Sequence, residues 1–461
     1  MTNEEKTEMF EHMPVPEAVM KLAVPTVIGC LVMILYNLAD TYFVGQINSP
    51  VQNAAVTLVA PVILAFNAIN NLFGVGGSSM MSRALGVKDM DTVRRSSVFS
   101  FYGALICGFL LSIFAVIFHD PLLHLLGASN ETYAATGKYL FWTVIMGAVP
   151  SILNVVMGNL VRAEGNALNA TIGTMSGCLL NVVLDPVFIL PEFLDMGAAG
   201  AGVATFISNT VACLYFFIFL YIKRNDTYVS IRFSRKCLNK VIIFGVLGVG
   251  VPAAVQNLLN VTGMTILNNF TVPFGSEAVA AMGISHKITM IPMYVSMGIA
   301  QGVLPLIGYN YAARNGKRFK ETIMYTIKVS GVLIVVAAAG FYVFSGNIMR
   351  VFMKNALTVK YGTAFMHGMS LAQPFLAMDF MAVGIFQACG MGRRSFIFSI
   401  MRKGILEIPA LMVLNHFYPM YGLAYAQLVA EVILALASIF YICKIFNEFK
   451  DRDNSTEQSL L

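Results

Sequence analysis

Two aspartates stand where charge is expensive: Asp40 in the stretch NLADTYFVG and Asp185 in NVVLDPVFI, each inside a long apolar run. An ionised carboxylate in a bilayer core costs at least ~2.5 kcal/mol on insertion scales, so a chain that keeps one commonly uses it. Asn37 precedes Asp40 by three residues and Asn181 precedes Asp185 by four, spacings that put amide and carboxylate on one helical face. Such a pair can share hydrogen bonds or ligate a cation. The chemistry it suits is the uptake and release of a cation, with Asp40 and Asp185 as its ligands. The competing account, a packing hydrogen bond to a neighbouring helix, is weaker for two acids in the same half of the chain than for one.

The elements that must carry these acids follow from composition. The chain has 461 residues, 57% of them hydrophobic and 12% charged, with a mean hydropathy of +0.73; average soluble domains are ~25% charged. These values predict an all-α polytopic membrane protein. Its formal charge of +6 is spread over short loops, which argues against a nucleic-acid partner. Seven cysteines without a CxxC pair and six histidines without metal spacing give no disulfide framework or metal centre, and no resident cofactor is expected. No nucleophile constellation or nucleotide-binding loop can be read, so an enzyme is not expected and energy must come from an ion gradient. GVGGSS at 74–79 lacks the lysine of a phosphate loop; its small residues suit close helix approach.

About twelve apolar spans can be marked, from 18–45 to 422–445. Basic residues cluster after the even-numbered spans, as with Arg83, Lys88, Arg94 and Arg95 after the second and Lys223 to Lys240 after the sixth. By the positive-inside rule both termini are cytoplasmic. The polar, acidic start is unlike a cleaved secretory signal, so the first helix is expected to remain. The expected organisation is a cytoplasmic segment 1–17, a first lobe 18–222, a cytoplasmic linker 223–240, a second lobe 241–445 and a polar tail 446–461. The linker reads as solvated.

The halves repeat. KLAVPT around Pro25 parallels LGVGVPA around Pro252, GGSSMMSRALGVKDMDTVRR parallels QGVLPLIGYNYAARNGKRFKE, and VRAEGNA parallels FQACGMG. Each half has an even number of spans, so the duplication predicts two pseudo-symmetric six-helix lobes about a central cavity that opens to one side at a time. The second half has its own polar groups: Gln256, Asn257 and Asn260 on its first helix, Asp379 in mid-span, and Glu431, for which a cavity role and an interhelical hydrogen bond stand equal. Glu407, beside Arg402 and Lys403, is explained by snorkelling, an ion pair or function. Lys287 near a span interior is open to an outward, snorkelling reading. Twenty-eight Met, 34 Phe and 18 Tyr could supply an adaptable pocket for amphiphilic organic cations.

The run P-x(11)-N-L-A-D-T-Y-F-V-G, the VRAEGN exit, N-V-V-L-D-P-V-F-I and GYNYAARN resemble the multidrug and toxic compound extrusion (MATE) family over nearly the whole chain, in its MepA-type, DinF-related bacterial branch. The resemblance implies twelve spans in two lobes and export of cationic, often aromatic compounds in exchange for protons or sodium. It implies a first-lobe cation site of Asp40, Asn181, Asp185 and Thr205. It also implies a hinge at Pro25, residence in the cytoplasmic membrane and function as a monomer. In another branch a second-lobe site includes a glutamate and an aspartate; here Gln256 takes the glutamate's place and Asp379 matches the aspartate. The alternatives weighed are a lipid-linked saccharide flippase of the same superfamily, which tends to a basic cavity and extra spans, a membrane-embedded enzyme, and a passive channel.

Overall fold

A computed structural model describes residues 1–47, 49–233 and 235–458, and every regular element among them is helical. In chain order these are α1 (Asn3–Glu11), α2 (Val15–Gln46), α3 (Pro50–Asn70), α4 (Gly76–Gly86), α5 (Met90–Ile117), α6 (His119–Leu125), α7 (Tyr133–Leu140), α8 (Ala148–Ala163), α9 (Ala167–Ile189) and α10 (Gly197–Ile222). There follow α11 (Lys240–Thr271), α12 (Ser276–Ala312), α13 (Gly316–Val343), α14 (Ser345–Phe352), α15 (Ala356–Ala388), α16 (Gly392–Ile400), α17 (Ile408–Phe417) and α18 (Tyr421–Gln458). Among the described residues ten helices, counting α3 with α4 as one, are long and apolar enough to span a membrane. An eleventh is Tyr133–Met146 with Ala148–Ala163, bent by 46°. The remaining expected span, 396–416, the eleventh in chain order, corresponds to α16 and α17 joined by the π-helical turn Met401–Glu407.

Two features of the ends add to the sequence reading. Residues 1–17 contain α1, whose start is a capping box: Glu5 N–H donates to the Thr2 hydroxyl at 3.2 Å and Thr2 N–H to the Glu5 carboxylate at 2.7 Å. The last helix runs on to Gln458 through the segment read as a polar tail.

Contacts divide the chain into two units, residues 1–12 and 28–254 in one, 13–27 and 255 onward in the other. The first helix of each half is thus shared out. In α2 the change comes two residues after Pro25, and in α11 two residues after Pro252. A proline inside a helix removes one backbone hydrogen bond and clashes with the carbonyl four residues back, so both changes fall where the helix is softest.

Within the first unit, small residues bring backbones together. A methyl group on Gly76 would meet the Val246 carbonyl oxygen, and one on Gly250 the Leu72 carbonyl oxygen. GVGGSS therefore serves the approach of α4 to α11. In the second unit a methyl on Gly302 of α12 would lie 2.9 Å from Ala23 Cα, so the opening turns of α2 lie directly on α12.

The connector after α10 is pinned along residues 226–231, while Arg224, Arg232 and Lys240 in the same stretch are exposed. Glu164, the acid of VRAEGN, is fully buried and accepts from Lys6 Nζ (3.0 Å), the Thr227 hydroxyl (3.0 Å) and Tyr228 N–H (2.7 Å). Lys6, 1% exposed, also donates to the Asp226 carbonyl at 2.5 Å and lies over the Tyr228 ring. Farther along, Ser230 N–H donates to Ser97 and the Tyr102 hydroxyl to the Ile231 carbonyl. The connector's backbone groups find partners on α1, α5 and the end of α8, which is what holds it.

Candidate functional site

In the first unit, Asp185 on α9 is fully buried. Asn181, one turn earlier and 2% exposed, has its amide oriented by its surroundings: its oxygen accepts from Thr205 N–H at 3.1 Å and its nitrogen donates to the two Asp185 oxygens at 3.2 and 2.7 Å. The α-helical period sets this pairing, and Pro186 follows at the point where the chain must release its next N–H. Asp40 on α2 is half-buried and within electrostatic reach of Asp185. The geometry thus brings together Asp40, Asn181, Asp185 and Thr205.

Asn37 has a different placement from Asp40's expected companion. It is exposed, and its amide donates to the Met33 carbonyl of its own helix at 2.7 Å. Two tyrosines do what sequence reading did not anticipate: Tyr36, one turn before Asp40, and Tyr139 of α7 each stand within electrostatic range of both carboxylates. Gly202 of α10 lies close to this segment, where a methyl would stand 3.0 Å from Trp142 Cβ and 3.4 Å from the Tyr139 ring. The polar line also continues beyond Thr205. Asn209 donates to the Thr205 carbonyl at 3.0 Å, and Asn154 of α8 donates to Asn209 at 2.8 Å. The signal for the two asparagines was present, Asn209 being four residues after Thr205 and Asn154 buried in a span, but the bond that links them joins two helices.

The second unit holds a separate polar cluster. Asp379 of α15 and Glu431 of α18 are both fully buried, and Arg402, from the π-helical turn, lies between them. Its Nη1 is 3.1 Å from Asp379 Oδ2, its Nε 3.1 Å from Glu431 Oε1, and its Nη2 donates to Asn260 Oδ1 of α11 at 3.1 Å. Lys403 pairs with Glu407 at 2.6 Å, which selects the ion pair among the readings of Glu407. Lys287 is exposed, as an outward-pointing lysine requires. Gln256 accepts from the Gln387 amide at 3.3 Å, and the Asn257 oxygen is buried without a hydrogen-bond partner. The sequence reading named Asp379, Glu431 and Asn260 but passed over Arg402 as a neighbour of a cytoplasmic end. The wider π turn carries it into the lobe instead, a placement such turns often give to functional side chains.

The acids of the first unit and those of the second thus have different company: amide, hydroxyl and phenol in one, a guanidinium in the other. Among the described residues no group of three or more His, Cys, Asp or Glu suits a metal centre.

Comparison with known proteins gives this arrangement its context. A multidrug export protein, MepA of Staphylococcus aureus strain MRSA252, is 31% identical over 440 residues, covering 95% of this chain and 96% of that protein. A MATE structure described as being in the straight conformation superposes with a TM-score of 0.90 at 26% identity, covering 97% of this chain and 99% of the other. A second, in the bent conformation, gives 0.88 at 26% identity over 98% and 99%. The model of the MatE family matches residues 25–187 and 252–413, two blocks that begin at Pro25 and Pro252 and follow the internal repeat. With both halves matched and a relative aligned almost end to end, the chain belongs to the MatE family of multidrug and toxic compound extrusion transporters.

Proposed function

We infer that the protein is a secondary active multidrug exporter, a transporter and not an enzyme, that moves small organic molecules out across the membrane. The single observation that carries the coupling part of this reading is the buried Asp185, held by the Asn181 amide, with Asp40 in electrostatic reach. A carboxylate pair away from bulk water is stable only when a cation or proton accompanies it, so occupancy by an ion and by an organic cation can alternate. Export by the MepA relative supports the transport direction. A lipid-linked saccharide flippase is not favoured, since the first unit gathers acids instead of bases.

The cycle runs on one site. Open to the outside, Asp40 and Asp185 take up H+ or Na+, with Asn181 and Thr205 supplying further oxygens if the ion is Na+. Loss of the negative charge releases a cationic drug, and α2 bends near Pro25 as the pocket contracts. Open to the cytoplasm, the ion leaves and the anionic pocket accepts the next organic cation. Both termini lie on the cytoplasmic side, as the basic loops require, and the monomer suffices because each chain carries both halves. In proteoliposomes with a pH gradient or a Na+ gradient imposed alone, one of the two drives uphill transport of a fluorescent organic cation. An Asp185→Asn protein that is folded and transports at the wild-type rate sinks the reading.

A further inference from the structure

We propose that Arg402 is a tethered counter-cation that fills an oxygen cage in the second unit and bars Na+ from it. The inference rests on the coupling reading above and deepens it, by confining metal-ion exchange to the acids of the first unit.

Three oxygens from three helices converge on one guanidinium. Asp379 Oδ2 from α15, Glu431 Oε1 from α18 and Asn260 Oδ1 from α11 each stand 3.1 Å from a different nitrogen of Arg402. Two carboxylates and an amide are the oxygen set that a hard cation selects. Here the centre of that set is occupied by the chain itself, with the Phe380 ring 5.0 Å below the guanidinium. Arg402 is 3% exposed and both acids are fully buried, so a free metal ion would have to displace a desolvated cation held by hydrogen bonds to Asp379 and Asn260 and by an ion pair to Glu431. Around this core, Lys403 and Glu407 neutralise each other at 2.6 Å, and the imidazole of His286 on α12 faces that pair. One acid of Asp379 and Glu431 is balanced by Arg402. The other is neutral when it carries a proton, for which Asp379 Oδ1 and both Glu431 oxygens, buried and without a hydrogen bond, are free.

The cage is tested by emptying it. The purified full-length protein carrying Asp40→Asn and Asp185→Asn, which removes the first-unit acids from the readout, is melted in NaCl and in choline chloride of equal ionic strength. Adding Arg402→Ala to this background is expected to raise the midpoint in Na+ over choline by about 2 °C near saturation, a gain that Asp379→Asn abolishes. Arg402→Lys keeps the charge and is expected to show no Na+ effect. A folded Arg402→Ala protein with equal midpoints in the two salts overturns the proposal. Should Arg402→Ala not fold, the uncharged triple Arg402→Met, Asp379→Asn, Glu431→Gln in the wild-type background decides, because a cluster whose task is to neutralise itself can be replaced by neutral groups of similar shape. This triple is expected to fold and transport, and a triple that does not fold, or folds and is inert, overturns the proposal. Since the first readout is binding and not transport, its failure is separate from failure of the coupling reading, which Asp40→Asn and Asp185→Asn address directly.

Discussion

The side-chain nitrogen of Asn181 donates to Asp185 Oδ2 at 2.7 Å, one helical turn away on α9. The bond joins a neutral donor to a buried carboxyl and also fixes the amide oxygen on Thr205 N–H. Hydrogen bonds to charged groups contribute ~1.5–3 kcal/mol. Asn181→Leu is therefore expected to slow efflux of a fluorescent cation by about tenfold, a loss of ~1.4 kcal/mol in transport free energy, and to lower the melting midpoint, since Asp185 is left buried without its donor.

The proposed cycle has Asp40 and Asp185 act on one cation, which predicts that their removal is not additive. Asp40→Asn and Asp185→Asn are each expected to abolish ion-driven efflux, and the double variant to be no worse than either single one. Initial rates in proteoliposomes measure this. Independent sites would instead give two partial losses that multiply.

Pro25 sits inside α2 two residues before the helix changes its contacts from one unit to the other. Pro25→Ala restores the missing backbone donor and relieves a strain of ~3 kcal/mol. The variant is expected to melt at a higher temperature and to transport several-fold more slowly, the opposite signs distinguishing a hinge from a packing residue.

Glu164 is expected to matter for stability and for the connector, not for the ion. Breaking a buried ion pair by removing one partner costs ~3–5 kcal/mol. Glu164→Gln and Lys6→Met should each lower the melting midpoint and speed tryptic cleavage in the connector, where Arg224 and Arg232 flank the residues that Glu164 and Lys6 hold. Unchanged cleavage in a folded Glu164→Gln protein removes the clasp from the account.

Gly76 marks a backbone crossing in the first unit, against the Val246 carbonyl. Gly76→Ala is expected to destabilise by ~1–3 kcal/mol, as overpacking does, in a thermal melt. A neighbouring exposed glycine such as Gly45, with nothing near its would-be Cβ, should tolerate alanine within ~0.5 kcal/mol.

The number and type of spans were legible because a bilayer allows few solutions: every backbone polar group must be satisfied within its own segment, so long apolar runs become helices. The pairing of Asn181 with Asp185 was legible for a related reason, since a helix repeats its faces at fixed intervals and both residues lie on one helix. Asn37 shows where that rule stops. The same kind of spacing put it beside Asp40 in sequence, yet its amide turns back to the Met33 carbonyl, a choice between two local acceptors that spacing does not resolve. The short helix α1 had its Thr2 to Glu5 capping signature in plain view but lay in a polar segment where hydropathy offered no signal.

What the sequence determined by itself is the chemistry available: two carboxylates in apolar helices, a repeated architecture and basic loops on one side. Only the tertiary structure decided which charges neutralise which. Arg402 is 23 residues from Asp379 and meets Glu431 and Asn260 on two other helices, and Lys6 finds Glu164 across most of the first unit's chain length. Pairing of that kind depends on how helices cross, and on a π turn that rotates one side chain inward, quantities that no local pattern of residues encodes.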